Sequence, residues 1–502
     1  MKITAMGSWR PRPGTALHWA PAEATSAAAT SAPGVVGAMT FLAENHVRGC
    51  HLAQSQGVAH RAYLGSGTDL DGDLDVPAVT RALETFLERH SILRSWFDVD
   101  EGTVARHVVA VDDIAFAVRS VGTLASTDDI TRHLRDLFAA EANSITFPGF
   151  AFGAITRPGS FSLFFAADHA LSDGASQALA LSEIVGLYYR YCSGAAEPKR
   201  STVAPCTRTP GDAATPAGGE FADFAAMEAE LTNHHAAGSP EFAGWQNTFR
   251  RNGLRMPSFP LDLGLGPGET APVRPVELPI LDGPAVTAFD RVCKAAGGRV
   301  PDGVYAALAI TDRELAGRTD YYGMTVFNTR SALDGFESSQ GWFCSFGPVE
   351  FSVDGAATFT DLVATARAGH QRAKRLAGVP VGAALSAMVA AGASPSAVVT
   401  APNLLSYIDF RWFPGAGEPA YDRGVIFTGE GRTANASLWI NRDHDSLYLG
   451  SQTPDTPFAQ LQVRRYFDHL CSVIQHVAES GDYAIGADSD HVHLTTIATP
   501  AS

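Results

Sequence analysis

The sequence predicts a mixed α/β (α+β) protein built as two subdomains, each a mixed β-sheet flanked by helices, and three observations predict it. Apolar runs of strand length alternate with stretches of helical periodicity along both halves of the chain. A Pro/Gly/Ser/Thr/Ala-rich passage from Ser193 to Glu220, with almost nothing to bury, separates those halves. No unit recurs at a fixed spacing of roughly 20–50 residues, which argues against a solenoid or a propeller. The expected division is a first subdomain over 1–192, a linker over 193–220, a second subdomain over 221–485 and a flexible tail over 486–502. For 502 residues, two mixed sheets packed side by side is the simplest layered arrangement.

In the first half the pattern predicts a strand at Val58–Leu64 and a helix at Val76–His90. Strands follow around Val104–Val111 and Ile114–Val118, then a helix capped near Ser126 that runs to Glu141. Phe150–Thr156 and Phe161–Ala167 flank the Pro-Gly turn of Arg157–Ser160 and read as a hairpin. A helix from about Gly174 to Tyr191 closes the half. The second half opens with helical stretches around Phe221–Arg251 and a Pro/Gly-rich passage. Helices near Pro284–Ala296 and Asp302–Leu315, a strand at Tyr321–Asn328, an apolar stretch at Trp342–Val353 and a helix at Thr358–Ala377 come next. Strands near Asn403–Phe410, Gly424–Thr428, Ala434–Asn441 and Leu447–Ser451 precede a last helix at Phe458–Glu479.

Composition narrows the function. There are 37 basic and 53 acidic residues, a net charge of −16, with only four lysines and no basic run, so no nucleic-acid partner is expected. The six cysteines show no CxxC spacing, which suits neither a disulfide framework nor a zinc site, and a reducing cytoplasm is the expected location. The first thirty residues lack the apolar stretch of a signal peptide. Leu376–Ile408 carries no charge, yet Pro380, Pro395 and Pro402 interrupt it; it reads as a buried helix, a turn and a core strand, not a transmembrane segment.

The passage richest in chemistry is Phe161–Tyr189. A continuous apolar run reads as a buried strand, the chain leaves it through Asp168-His169-Ala170-Leu171-Ser172-Asp173-Gly174, and a helix begins with Ser172 or Asp173 as N-cap. His169 therefore sits in a short loop between rigid elements, where side chains are presented to substrates. A neutral imidazole there can accept a proton from an alcohol and return one to a leaving group. Asp173 is close enough to brace the loop, and Gly174 eases the turn into the helix. The bland alternative is a buried histidine bonded to backbone at a strand end.

These residues also carry a family resemblance. His169-x-x-x-Asp173-Gly174 after a Phe-rich strand resembles the HxxxD motif of the chloramphenicol-acetyltransferase-like superfamily, which includes condensation domains and polyketide-associated acyltransferases. Further segments fall in the same order: Glu88 to Phe97, then Asn328-Thr329-Arg330 followed by Gly341-Trp342-Phe343 and Pro348-Val349. Trp9 to Gly14, Ser406 to Asp409 and Ala436 to Arg442 look most like the mycobacterial, trehalose-acylating branch. The resemblance runs from about Gly7 to Ser480. It implies two acetyltransferase-like subdomains with the active site at their interface, and an O-acyltransferase moving a fatty acyl group from a thioester of coenzyme A or a carrier protein to a hydroxyl of trehalose or a trehalose derivative in glycolipid biosynthesis. By it, His169 is the general base, no covalent acyl-enzyme forms, Asp173 pairs with Arg330 across the two halves, and Ser406 faces the tetrahedral intermediate. Ser406 reads equally well as a strand serine bonded to a neighbouring strand. No cofactor and no metal is implied beyond the acyl thioester. The partners implied are the sugar acceptor, the acyl donor, and a polyketide synthase or lipid transporter, with peripheral membrane contact.

The fuller family pattern is HHxxxDG, and here Asp168 stands in place of the first histidine. That departure keeps an alternative open: a non-catalytic condensation-like scaffold, or a lipid- or synthase-docking protein. Other clusters read as bland. Asp69 to Asp75 lacks the glycine and glutamate positions of a calcium loop and reads as an acidic turn. His234-His235 reads as a solvated helix face, and Asp490, His491 and His493 lie in the expected tail.

Overall fold

The computed structural model describes residues 1–37, 39–194, 219–330 and 334–486. Most of the expected linker and nearly all of the expected tail, with Asp490, His491 and His493, lie outside the described residues. Two seven-stranded mixed sheets dominate. The first runs in the order Lys2–Ile3, Val425–Thr428, Tyr63–Asp71, Ser160–Asp168, Phe150–Arg157, Gly14–Pro21 and Phe116–Leu124. The second runs Cys344–Ser352, Asp320–Asn328, Leu404–Asp409, Ser437–Arg442, Ser446–Pro454, Ala271–Asp282 and Arg432–Thr433. A small third sheet joins Gly34–Val36, Thr103–Val108 and Ser95–Asp100.

The apolar run at 160–168 occupies the middle of the first sheet, antiparallel to both neighbours, and every residue in it is buried. Helix starts follow side-chain chemistry. Asp75 accepts from the Ala78 N–H at 3.0 Å to open Val76–Arg89, and Ser126 accepts from Asp129 at 3.1 Å to open Thr127–Glu141. The chain does not divide between the sheets at a single point: Val425–Thr428, late in the sequence, pairs antiparallel with Tyr63–Asp71. The first sheet's core likewise takes in Phe221, Phe224, Phe336 and Phe343 from the second half. The first half's core is thus completed by apolar side chains of the second.

Several expectations need correction. The strand expected at Val58–Leu64 forms at Tyr63–Asp71. Gly65 and Gly67 disguised it, because their missing side chains make room for aromatic rings from remote segments: a Cβ on Gly65 would lie 2.2 Å from Phe427, and one on Gly67 2.4 Å from Trp9. The acidic turn at Asp69–Asp75 is half strand; Asp69 bonds Ser162 and, at 3.1 Å, Arg157 on the neighbouring hairpin. The Pro/Gly-rich passage of the second half contains the strand Ala271–Asp282, which tolerates Pro272, Pro275 and Pro279 because no residue of it is paired on both sides: Ala271 and Pro272 meet Arg432–Thr433, and the rest meets Ser446–Pro454. Two helices, Glu23–Ser31 and Phe41–Ser55, and the strand Gly14–Pro21 have no counterpart in the sequence reading. Leu376–Ile408 holds two helices, Val381–Ala390 and Pro395–Val399, before the strand Leu404–Asp409. Among the described residues no helix is long and apolar enough to cross a membrane. His235 is buried and bonded to Ser239 at 2.8 Å, not solvated.

Candidate active site

The strand Ser160–Asp168 delivers the chain into a tight, fully bonded corner. The Asp168 N–H donates to Gly149 O and the His169 N–H to Ala62 O, both at 3.0 Å, and Leu171 N–H closes back on Asp168 O at 2.9 Å. The helix Gly174–Cys192 then starts at once, with Asp173 as its N-cap, accepting from the Ser176 N–H at 2.7 Å. Seven residues thus turn a buried strand into a buried helix and leave the His169 side chain at the turn.

Asp173 and Arg330, 157 residues apart, form a bidentate pair: Nη1 donates to Oδ2 at 2.8 Å and Nη2 to Oδ1 at 3.0 Å. Both are buried, Arg330 at 2 % exposure and Asp173 at 6 %. The pair sits in a network that satisfies both charges. Arg330 also donates to Ser339 O, Gly341 O and Ser176 Oγ at 2.9, 3.1 and 2.6 Å, and its guanidinium lies over the Phe343 ring. Asp173 accepts a further bond from the Phe343 N–H at 2.9 Å. Burial opposes the charge on Asp173, yet Arg330 and the backbone donors outweigh it and hold the carboxyl below its usual range. A buried charge pair with every lone pair met is a rigid joint between the first helix after the loop and the turn 339–343 of the other half.

That turn positions Trp342 against the histidine. The Trp342 and His169 rings stack with centroids 3.8 Å apart and 28° between planes. Trp342 also meets the His46 ring edge-on at 5.7 Å and donates its indole N–H to Cys344 Sγ at 2.8 Å. His169 is half-buried, and its Nδ1 is enclosed without a hydrogen-bond partner among the described residues. Burial pushes it down to about 4, with the charge on His46 acting in the same sense and contacts to its own backbone, Asp173 and Asp168 acting against. At neutral pH the imidazole is uncharged and able to accept a proton. Burial pushes the Cys344 thiol well above its usual range, so Cys344 is no thiolate nucleophile.

Asp168, the residue in place of a first histidine, turns away into a second cluster. It is wholly buried, and its Oδ1 lies 3.0 Å from His46 Nε2 and accepts from the Ala170 N–H at 2.7 Å. Its Oδ2 lies 3.1 Å from His60 Nε2. Cys50 completes the group, with Sγ 3.4 Å from His46 Nε2. Burial disfavours charge on the two rings, but Asp168 and Cys50 outweigh it and raise His46 to about 10 and His60 to about 9. None of the three was singled out from sequence. The His46-x-x-x-Cys50 spacing was a readable signal, since residues four apart share a helix face, but the helix Phe41–Ser55 had not been recognised.

The structure thus brings His169, Asp173, Gly174 and Arg330 to one place. A Cβ on Gly174 would lie 3.6 Å from Ile408 at the end of the strand Leu404–Asp409. Ser406, two residues earlier on that strand, shares the face of Ile408, which is the face directed at the start of the helix. Ser406 pairs in register with Trp439 on one side, while on the other the pairing with Asp320–Asn328 ends at Leu405.

No protein-family model matches the chain. It is 27% identical over 494 residues, 96% of this chain and 89% of the relative, to the 2'-acyl-2-O-sulfo-trehalose (hydroxy)phthioceranyltransferase PapA1 of Mycobacterium tuberculosis. Among solved structures it is similar to the PapA2 acyl transferase, with a TM-score of 0.83 at 22% identity over 95% of this chain and all of that one. It is also similar to the first condensation domain of the calcium-dependent antibiotic synthetase, with a TM-score of 0.64 at 18% identity over 88% of this chain and 97% of that one. The fold is the one these structures share, a mixed α/β fold of two acetyltransferase-like subdomains.

Proposed function

We propose, for a chain related to the mycobacterial PapA acyltransferases, that it is an O-acyltransferase carrying a fatty acyl group from an acyl thioester to a hydroxyl of trehalose or a trehalose derivative. Kinship supports the activity and acceptor class: the PapA1 relative is named for transfer onto an acylated, sulfated trehalose. The observation that carries the reading is the neutral His169 ring, held at the end of a buried strand between the Trp342 face and the Asp173–Arg330 joint.

In this mechanism His169 Nε2 removes the acceptor hydroxyl proton as the oxygen attacks the thioester carbonyl. A tetrahedral intermediate forms, the C–S bond breaks, and the imidazolium returns its proton to the departing thiolate, giving ester and free thiol. No bond to the protein is made. Ser406, on the face of its strand directed at the loop, is the candidate donor to the oxyanion. Asp173 and Arg330 are positioning residues, since their groups are consumed by each other and by backbone. The transfer needs no cofactor beyond the acyl thioester. A reducing, cytoplasmic setting agrees with Cys50, Cys192, Cys293, Cys344 and Cys471, all free thiols.

The test is thiol release from palmitoyl-CoA with trehalose and with sulfated trehalose, products read by mass spectrometry. His169→Ala is expected to lose about 10²–10⁴-fold in rate while remaining folded, the range general-base removal costs. Full activity in that variant sinks the mechanism. Saturable acyl-thioester binding without any thiol release by the unaltered protein would favour the scaffold reading. That reading was motivated by Asp168, whose carboxylate is committed to His46 and His60.

A further inference from the structure

We propose that His46, Cys50, His60 and Asp168 form a closed binding site for a divalent d-block ion of the zinc class, adjoining the loop that presents His169. Three chain segments converge there. His46 and Cys50 lie one turn apart on a single face of the helix Phe41–Ser55, His60 sits in the segment entering the strand Tyr63–Asp71, and Asp168 ends the strand Ser160–Asp168.

The donor atoms of His46, Cys50 and Asp168 converge, and His60 adjoins them. His46 Nε2 and His60 Nε2 face the two oxygens of one carboxylate at 3.0 and 3.1 Å, and Cys50 Sγ lies 3.4 Å from His46 Nε2. Ligand atoms of His46, Cys50 and Asp168 all fall within 4.8 Å of one another. A tetrahedral centre with bonds of about 2.0–2.3 Å holds its ligands roughly 3.3–3.7 Å apart, so the carboxylate and the rings have to part slightly and His60 has to turn towards the others to accommodate it. The group is shut from water: the side chains of His46, His60 and Asp168 are 12%, 3% and 0% exposed.

Donor chemistry selects the ion. Two imidazoles, one thiolate and one carboxylate suit zinc and its neighbours, whereas calcium and magnesium prefer oxygen throughout. With neutral imidazoles the ligands carry two negative charges, which a dication cancels, leaving a buried site with no net charge. Hydrogen bonds alone aim two ring nitrogens at one carboxylate, with the Cys50 sulfur bonded to His46. A metal uses the lone pairs of all four at once. A shift of the His60 ring from Asp168 Oδ2 onto the ion completes the tetrahedron with four protein donors, so no position remains for water or substrate, and the ion's part is structural. It ties the helix Phe41–Ser55 to the residue directly before His169. The proposal stands apart from the acyl-transfer reading and no step of that reaction passes through it.

The full-length protein, purified without a histidine tag and dialysed against a weak chelator, is expected to retain one zinc per chain by elemental mass spectrometry. The metal should be lost in His46→Ala and in Cys50→Ser. Co²⁺ added to chelator-stripped protein should give intense tetrahedral d–d bands and a sulfur-to-cobalt charge-transfer band, and Cys50→Ser should abolish the latter. The Co²⁺ titration of the unaltered protein decides the matter even where a variant fails to fold. Absence of retained metal together with no charge-transfer band overturns the proposal, as does zinc content unchanged in both variants.

Discussion

Replacing Asp173 by alanine removes four accepted hydrogen bonds at once: one from Ser176, two from Arg330 and one from Phe343. Loss of the helix cap costs about 1 kcal/mol. Stranding a buried partner charge costs about 3–5 kcal/mol. Arg330 keeps Ser339 O, Gly341 O and Ser176 Oγ, which cushions it, so the expected total is about 4 kcal/mol, a large share of the roughly 5–15 kcal/mol that holds a fold together. Arg330→Met should cost somewhat less, because Asp173 retains two backbone N–H donors. The double variant should cost less than the sum by about 1–3 kcal/mol, since each change removes the charge the other strands. Urea unfolding of the four proteins measures all of these. The pair also has a pH signature. Asp173 is depressed in the folded protein, so its contribution is full above the unfolded value of about 4 and fades as the pH falls through the lower folded value; Asp173→Asn should flatten that acid limb. Strict additivity of the two substitutions, or an Asp173→Ala protein as stable as the parent yet inactive, would refute the positioning role and place Asp173 in the chemistry.

Burial raises Asp312 to about 6 despite its bonds to Tyr466 and Arg318, so its stabilising protonated form is fully present below pH about 4 and lost as the pH rises through 6. Asp312→Asn should therefore gain on the parent between pH 4 and 7, by up to roughly 3 kcal/mol at neutrality, seen as converging and then reversed melting temperatures in a pH series. Trp342→Ala removes the surface against which the His169 ring lies. It should lower kcat/KM by about 10–10²-fold through misplacement of the base, with smaller loss of thermal stability than Asp173→Ala. Gly67→Ala sets a methyl 2.4 Å from the Trp9 ring and should destabilise by about 1–3 kcal/mol, measured by calorimetry; Ser66, next to it but on the opposite face, offers a control position.

How much was legible depended on how local each determinant is. The strand, loop and helix around His169 were readable because the apolar run of Phe161–Ala167, the cap at Asp173 and the apolar face after it all lie within thirty residues. The pairing of Asp173 with Arg330 spans 157 residues and nothing local announces it; only the family resemblance brought the two together. The strand Tyr63–Asp71 was misplaced because what fills its glycine gaps, Trp9 and Phe427, arrives from the two ends of the chain. The cluster of His46, Cys50, His60 and Asp168 escaped for the same reason. Scattered donors form no motif until the helix Phe41–Ser55 is laid against the end of the strand Ser160–Asp168.

The late strand Val425–Thr428 in the first sheet has a mechanical consequence. Its flanking strands, Leu404–Asp409 and Ser437–Arg442, pair with each other in the second sheet. The chain therefore crosses between the sheets twice within a short span, once through residues 410–424 and once through 429–431. Two tethers leave a pair of rigid bodies far less freedom than one. Any parting of Trp342 from His169 has to strain both crossings.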